Sequence, residues 1–540
     1  MRSHIYLAVL GLLSLILYLG LTVLSKDFNW GEGYSKRPIL EYLAIYFSLF
    51  FLYTLACLSV FKSNWSQKTF WTLIAFGLLF RFAMLPSQQI QEDDVYRYLW
   101  DGKVFAHGIN PFKFAPEEIN QYKSLKIQDP VYFHSHYGEN DQNELAILND
   151  LKWENDIALR YMERINHPDV PTIYPPLAQY VFRFSQQINV DSLLTLRIIF
   201  LAFDLMGTVF IILALRALNL NQNFSLVYFW SPLIIKETYN STHLDIIGIS
   251  CLCVSIYFLI RKRMVGSIFF LGLSVLGKFY SAVLLPFYLQ RVWFLAQENR
   301  RSGTVTVTIH LILFCTVITV FYLPFIDIGE RVFDGLKTYS VYWQSNDSLF
   351  AILLYALKNI LKLGMATEVP IFGNSMIFAK SIMTLVILAA VAYLILKRAP
   401  KINSPEIWVR NIFLVMVLVF LLSTVQNPWY LCWTVPFLCI FHSRSLIFLT
   451  GLIGLYYLDF YLDYQDITQY SVLVAWLEYI PFYIYLLWEL FRSKKIWKTI
   501  EETADSQRYL PSFCYFSYPQ LVKRRPTQRL CRSNRLICES

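Results

Sequence analysis

The sequence predicts an all-α polytopic membrane protein, and three observations carry that expectation. Apolar residues make up 56% of the chain and the mean hydropathy is +0.43. Charged residues reach only 16%, against about 25% in an average soluble domain. The apolar residues also gather into runs close to the roughly 20 residues needed to cross a bilayer. A water-soluble globule, a disordered chain, a collagen and a coiled coil are all excluded by this composition. The 17% aromatic content is the excess expected where rings anchor at both interfaces. The formal charge of +9 does not indicate nucleic acid, because a membrane protein sorts its charge by side; no nucleic-acid partner is expected.

Seven runs are long enough to span: Ile5 to Leu24, Leu40 to Phe61, Phe70 to Leu85, Leu193 to Leu215, Val305 to Leu323, Met376 to Leu396 and Val472 to Leu490. Shorter runs, readable as spans or re-entrant halves, are Phe224 to Ile235, Leu244 to Ile260, Met264 to Leu276, Tyr280 to Leu295, Asn411 to Thr424, Trp429 to Phe441 and Leu446 to Leu458. The total is about 11 to 14 helices. Met1 to His4 before the first run looks like a signal-peptide start, but the run is long and lacks a small-residue cleavage pattern, so a retained anchor is expected.

A cytoplasmic N-terminus puts Lys62 and Lys68, Arg216, Arg261 to Arg263, Arg291, Arg300 and Arg301, Lys397 to Lys401, Arg444 and Lys494 to Lys498 all on the positive-inside face. That orientation makes 86–190 a large non-cytoplasmic loop and 326–373 a second external loop with an amphipathic or re-entrant helix near Lys358 and Lys362. The membrane domain then covers 1–491, and both termini are cytoplasmic. The first loop holds 15 acidic and 9 basic residues, whereas the tail at 492–540 has 11 Lys/Arg and 4 Asp/Glu. Such a basic tail belongs against anionic headgroups. None of the nine cysteines sits in a CxxC or a His/Cys metal spacing, so neither a disulfide framework nor structural zinc is expected.

Chemistry enters after the third span, at Gln91-Glu92-Asp93-Asp94-Val95-Tyr96-Arg97-Tyr98 with Asp101-Gly102 and then Gly108-Ile109-Asn110-Pro111-Phe112. Three adjacent carboxylates repel, so at least one must be paired or hold its proton, which makes it a candidate general base. On a helix Asp94 and Tyr98 share a face, as do Asp93 and Arg97. A helix start with acids offsetting the macrodipole reads equally well. Tyr174-Pro175-Pro176 fixes an extended entry into a helix. Lys236 to Asp245 places Glu237, His243 and Asp245 at the outer end of two runs, either as a used polar group or as a plain turn. Lys278 interrupts an apolar stretch, where it meets a lipid phosphate or snorkels. Arg81 and Asp204 lie within spans, and pairing them is a purely structural answer. Trp429 and Tyr430, and likewise Tyr339, Trp343, Asn346 and Asp347, read as site residues or as interface anchors. On the derived topology these patches fall at the same non-cytoplasmic boundary, and one site there explains them together.

With these residues in hand, the sequence resembles the GT-C superfamily of integral-membrane glycosyltransferases, in particular the bacterial polyprenyl-phosphate-mannose-dependent branch. The likeness rests on Asp93 to Tyr98 with Asp101-Gly102, Gly108 to Phe112, Tyr174-Pro175-Pro176, His243 and Asp245, Lys278 with Pro286, and Pro428-Trp429-Tyr430. The resemblance implies a GT-C-like bundle with short helices in its large external loop, in the bacterial inner membrane. It implies hexosyl transfer, mannose foremost, from a polyprenyl-phosphate-linked donor to a glycan or glycolipid acceptor. Asp94, with Asp93 behind it, supplies the base. Lys278 and Arg97 steady the leaving phosphate. Tyr98, Asp101, Asn110, Tyr174, Glu237, His243, Asp245, Trp429 and Tyr430 are candidates for sugar or acceptor binding. No cofactor or metal is expected, with a divalent cation at His243 and Asp245 the lesser alternative. A base and a phosphate leaving group suffice for direct inversion. The stretch from Glu117 to Asp169 departs from the pattern, so acceptor recognition does not carry over. A transporter or flippase for lipid-linked sugars, or a polysaccharide polymerase or ligase, remains the alternative. A transporter requires polar residues near the midplane of several spans, and only Asp204 reads as that deep.

Overall fold

The computed structural model describes residues 3–28, 31, 33–62, 66–362, 375–396 and 405–504, with side chains to 492. The structure is 83% helical and has no strand among these residues. Among them, nine helices are long and apolar enough to cross a membrane: Ser3–Asp27, Tyr34–Lys62, Leu193–Ala217, Phe279–Glu298, Gly303–Tyr342, Ser375–Leu396, Pro405–Leu422, Arg444–Tyr464 and Thr468–Arg492. Asp245–Ile260, Met264–Gly277, Leu349–Ile360 and Pro428–Phe441 are shorter apolar helices. The protein is therefore an all-α polytopic membrane protein. The chain divides into two compact units, Met1–Glu489 and Leu490–Ser540, and the functional site belongs wholly to the first. Residues 363–373 of the expected second loop and the tail beyond Ala504 lie outside the described residues.

Two differences from the sequence reading have physical causes. Helix Gln67–Met84 is not among the nine apolar helices, because its 18 residues include Gln67, Lys68 and Arg81. Arg81 is fully buried and bonds Asp204 through Nε at 2.6 Å. The second difference is larger. The run from Phe224 to Asp245 is not a span followed by a surface turn: it breaks into a 3-10 turn, two four-residue helices at Leu226–Phe229 and Pro232–Ile235, and a π-helix at Lys236–Asn240. From Leu226 on it is wholly buried. Such irregular backbone survives away from water only when its polar groups are met by protein. Arg197 meets two of them, its guanidinium donating to Thr242 Oγ1 at 2.9 Å and to the Asn240 carbonyl at 2.8 Å, and it ties the segment to the Leu85 carbonyl at 2.8 Å.

The loop between Met84 and Leu193 folds as a set of short helices. Helix Asp94–Ala106 is buried at every position from Val95 to Phe105 and packs on Pro176–Ile188, which starts at the paired prolines. Their contact is close because residue 102 is glycine: a Cβ there would lie 2.6 Å from the Phe182 carbonyl oxygen. Tyr98 stacks on the same Phe182, with ring centroids 4.7 Å apart. The intervening helices are capped by side chains, Asp129 accepting from Tyr132 N and Asn155 from Ala158 N. Each such cap satisfies an orphan N–H of the first turn.

A second segment, from Leu323 to Trp343, leans on this loop. Asn110 Nδ2 donates to Asp327 Oδ1 at 2.6 Å. Gly335 lies against 171–172, where a Cβ would come within 2.3 Å of the Pro171 oxygen. Gly335→Ala must displace backbone, not a flexible side chain, so a loss of about 1–3 kcal/mol is expected, read as a lowered thermal midpoint in detergent.

Candidate functional site

Residues that follow or close helices Gln67–Met84, Met264–Gly277, Gly303–Tyr322 and Pro405–Leu422 line a cavity of about 1060 Å3. Asp93 and Asp94 line it, as do Arg97, Tyr174, Lys278, Trp429 and Tyr430. The two residues argued from sequence to be base and phosphate partner therefore face a common space.

The carboxylate side begins with Gln91, whose backbone is left-handed at φ 69°, an uncommon state for a residue other than glycine. Arg37 and Tyr464 hold its side chain at 2.8 Å each. All three acids that follow line the cavity, Glu92 the most buried of them. Asn166 then ties the pair together, its Nδ2 donating to Asp93 Oδ1 at 2.7 Å and to Asp94 Oδ1 at 2.9 Å. Burial and the neighbouring Asp94 charge push the Asp93 carboxyl up to about 7, with the Asn166 hydrogen bond opposing. Asp94 is raised by burial too, while Asn166 and the Lys278 ammonium pull it back. Asp93 is therefore partly protonated near neutrality, and Asp94, beside the Lys278 charge, is the acid better held as an anion.

Lys278 lines the same cavity. Its ammonium bonds Asp245 Oδ2 at 2.6 Å and sits 4.1 Å above the Tyr430 ring. The other oxygen of Asp245 accepts from Trp433 Nε1 at 2.6 Å. Tyr430 OH bonds Tyr339 OH at 2.7 Å, and Tyr339 packs on Trp343, which packs on His167 beside Asn166. A ring of contacts thereby runs from the cation to the carboxylates. The remaining flank is apolar: Val283, Ile387, Leu388 and Val419 line the cavity from spanning helices, and Leu388 is 53% exposed.

Six expected ligand-binding residues are not brought to the cavity wall. Tyr98 is buried between Phe182 and Tyr174, its hydroxyl 3.5 Å from Asp94 Oδ2. Asp101 accepts from Arg97 Nε at 2.8 Å and Gln179 Nε2 at 3.2 Å, and Asn110 is engaged with Asp327. Glu237 is enclosed with Lys236 and Tyr457. Asp245 positions Lys278 and has both oxygens engaged. His243 is buried behind the acids and stacks on Trp429 at 3.9 Å; its ring nitrogens lie 3.4 Å from Glu237, 3.7 Å from Asp94 and 3.8 Å from Glu92. Arg97 does reach the cavity, yet its guanidinium is engaged with Asp101 and, through both terminal nitrogens, with the Val170 carbonyl at 3.0 Å. Among the described residues no group of three or more His, Cys, Asp and Glu is arranged to hold a metal ion.

Nothing in the sequence marks Asn166, a lone polar residue in the acidic stretch with no motif around it. Its role is testable by pH. A base works deprotonated, so activity should rise as pH climbs through the carboxyl pKa. Removing the Asn166 donor raises both acids further. Asn166→Ala is thus expected to move the acidic limb of the pH–rate profile to higher pH, measured as kcat/KM against pH.

No known protein family, curated protein or solved structure matches the chain.

Proposed function

We propose that the protein is a membrane glycosyltransferase that moves a hexose, mannose foremost, from a polyprenyl-phosphate donor to an acceptor hydroxyl by inverting single displacement. One observation carries this reading: a single cavity is lined by a carboxylate pair, by Lys278, and by an apolar flank of spanning-helix side chains with Leu388 exposed. A ligand with an anionic head and an apolar tail fits that pattern, since the tail can stay in hydrocarbon while the phosphate meets Lys278.

The chemistry then balances with the residues present. The acceptor oxygen attacks the anomeric carbon and forms the new C–O bond, while its proton passes to an oxygen of Asp94. The bond from the anomeric carbon to the phosphate oxygen breaks, and its electron pair leaves on that oxygen beside the Lys278 ammonium. A phosphate needs no proton to depart, so no general acid is called for. Asp245 and Trp433 fix the ammonium in advance, which is the condition for electrostatic stabilisation to act without reorganisation.

Purified protein supplied with polyprenyl-phosphate-mannose and a glycan acceptor should yield a product of inverted anomeric configuration by NMR. Retained configuration, or a donor left intact, overturns the reading. Lys278→Gln is expected to lower kcat by about 10²-fold with a smaller change in donor KM, because the lost charge acts mainly on the departing phosphate. Initial rates over a donor series check it.

A further inference from the structure

One stretch of the cavity wall, joined to the carboxylates through Asn166, is aromatic. The Trp343 ring lies 4.5 Å from that of His167 and 5.2 Å from that of Tyr339. His167 and Asp169 are exposed, and Trp343 and Tyr339 are half-buried. All four line the cavity, and His167 directly follows the asparagine that ties the two acids. Lys278 joins this cluster through Tyr430, whose ring lies 4.1 Å from the ammonium and whose hydroxyl contacts that of Tyr339 at 2.7 Å.

The one cavity thus offers a cationic wall at Lys278 and an aromatic wall at Trp343, and assigning a ligand to each rests on the proposed transfer reaction. The donor phosphate belongs at Lys278. The acceptor hydroxyl belongs within hydrogen-bond reach of Asp94, so the body of the acceptor must lie over the neighbouring wall. Ordinary small-molecule pockets run to about 1,000 Å3, and this cavity of about 1060 Å3 has room for more than the donor headgroup. A pyranose ring offers a face of C–H groups and a rim of hydroxyls. A half-buried indole flanked by a phenol and an imidazole meets such a face with rigid, amphipathic surface at little entropic cost. The Asp169 carboxylate at the edge can accept from the rim hydroxyls. We infer that Trp343, flanked by Tyr339 and His167, is an acceptor subsite on which a pyranose ring stacks, so that the acceptor is a glycan or glycoside and not a protein side chain.

Saturation-transfer NMR on the full chain in nanodiscs tests this without requiring turnover. The probes are the methyl glycosides of mannobiose, galactobiose and cellobiose, beside a serine-containing hexapeptide. At least one disaccharide should receive saturation on its ring C–H protons. Binding should weaken about tenfold or more in Trp343→Ala, weaken in His167→Ala at its exposed position, and persist in Trp343→Tyr. Asp94→Asn should keep the signal while losing transfer, so failure of the subsite and failure of the transfer reading are told apart. Saturation of none of the three disaccharides, equal saturation in Trp343→Ala, or saturation of the hexapeptide in their place overturns the proposal.

Discussion

Asp94→Asn is expected to lower transfer by about 10²–10⁴-fold, the range supplied by a positioned general base. Asparagine keeps the size of the side chain and an oxygen that can accept from Asn166, so the cavity wall stays intact and the loss reports on proton transfer. Asp93→Asn should cost less. Its carboxyl is pushed up to about 7 by burial and by the Asp94 charge, so near neutrality it is partly protonated already. The two variants should also differ in pH response. Neutralising Asp93 removes a like charge from beside Asp94 and so lowers the Asp94 pKa. The acidic limb in Asp93→Asn should therefore move to lower pH, whereas Asp94→Asn should lose that limb with its activity. Single-turnover rates with a preloaded donor measure the chemical step directly.

Asp204→Asn is expected to cause the largest loss of stability, about 3–5 kcal/mol. Both members of the Arg81–Asp204 pair are completely buried. Asp204 also accepts from Tyr228 OH at 2.7 Å and Tyr239 OH at 2.6 Å, and Arg81 donates to the carbonyls of Gly77 and Phe229. Removing the negative charge leaves a guanidinium enclosed beside the Phe229 ring, 3.8 Å away, with no anion to offset its desolvation. Adding Arg81→Met to Asp204→Asn should recover part of the loss, because the stranded charge goes with it. Neither residue lines the cavity, so activity per folded molecule should hold. Unfolding in a mild detergent, followed by circular dichroism, gives the comparison.

The legible parts of this molecule are those encoded by runs and by isolated charges. Hydropathy locates most helices because lipid imposes length and apolarity together. Arg81, Asp204 and Lys278 stand out because charge in an apolar run demands an explanation, and Asp93–Asp94 because adjacent acids do. The segment from Lys236 to Asp245 misleads for the converse reason. Its polar residues read as a used group at the membrane boundary or as a plain turn, and neither reading foresees that the whole segment is buried, with Arg197 meeting the Asn240 carbonyl and Thr242. Glu478 shows the same thing within the last spanning helix: it is fully buried, held by Asn346 Nδ2 at 2.8 Å, although nothing in the run around it announces a partner. Asn166 and His167 are illegible, and Trp343, singled out by its indole, could not be joined to them, since that grouping lies in contacts between segments far apart in the chain and no local spacing records it.

The fate of the sugar–phosphate bond tests the central claim most directly. Sealed proteoliposomes would be loaded with polyprenyl-phosphate-mannose labelled in the sugar and given glycan acceptors on both sides. Chromatography would then follow whether label leaves the lipid. Label should appear on the acceptor at the rate at which unglycosylated polyprenyl phosphate accumulates, and only with Asp94 present. Label that changes leaflet while still joined to its lipid would contradict transfer and make the cavity a passage for the intact carrier.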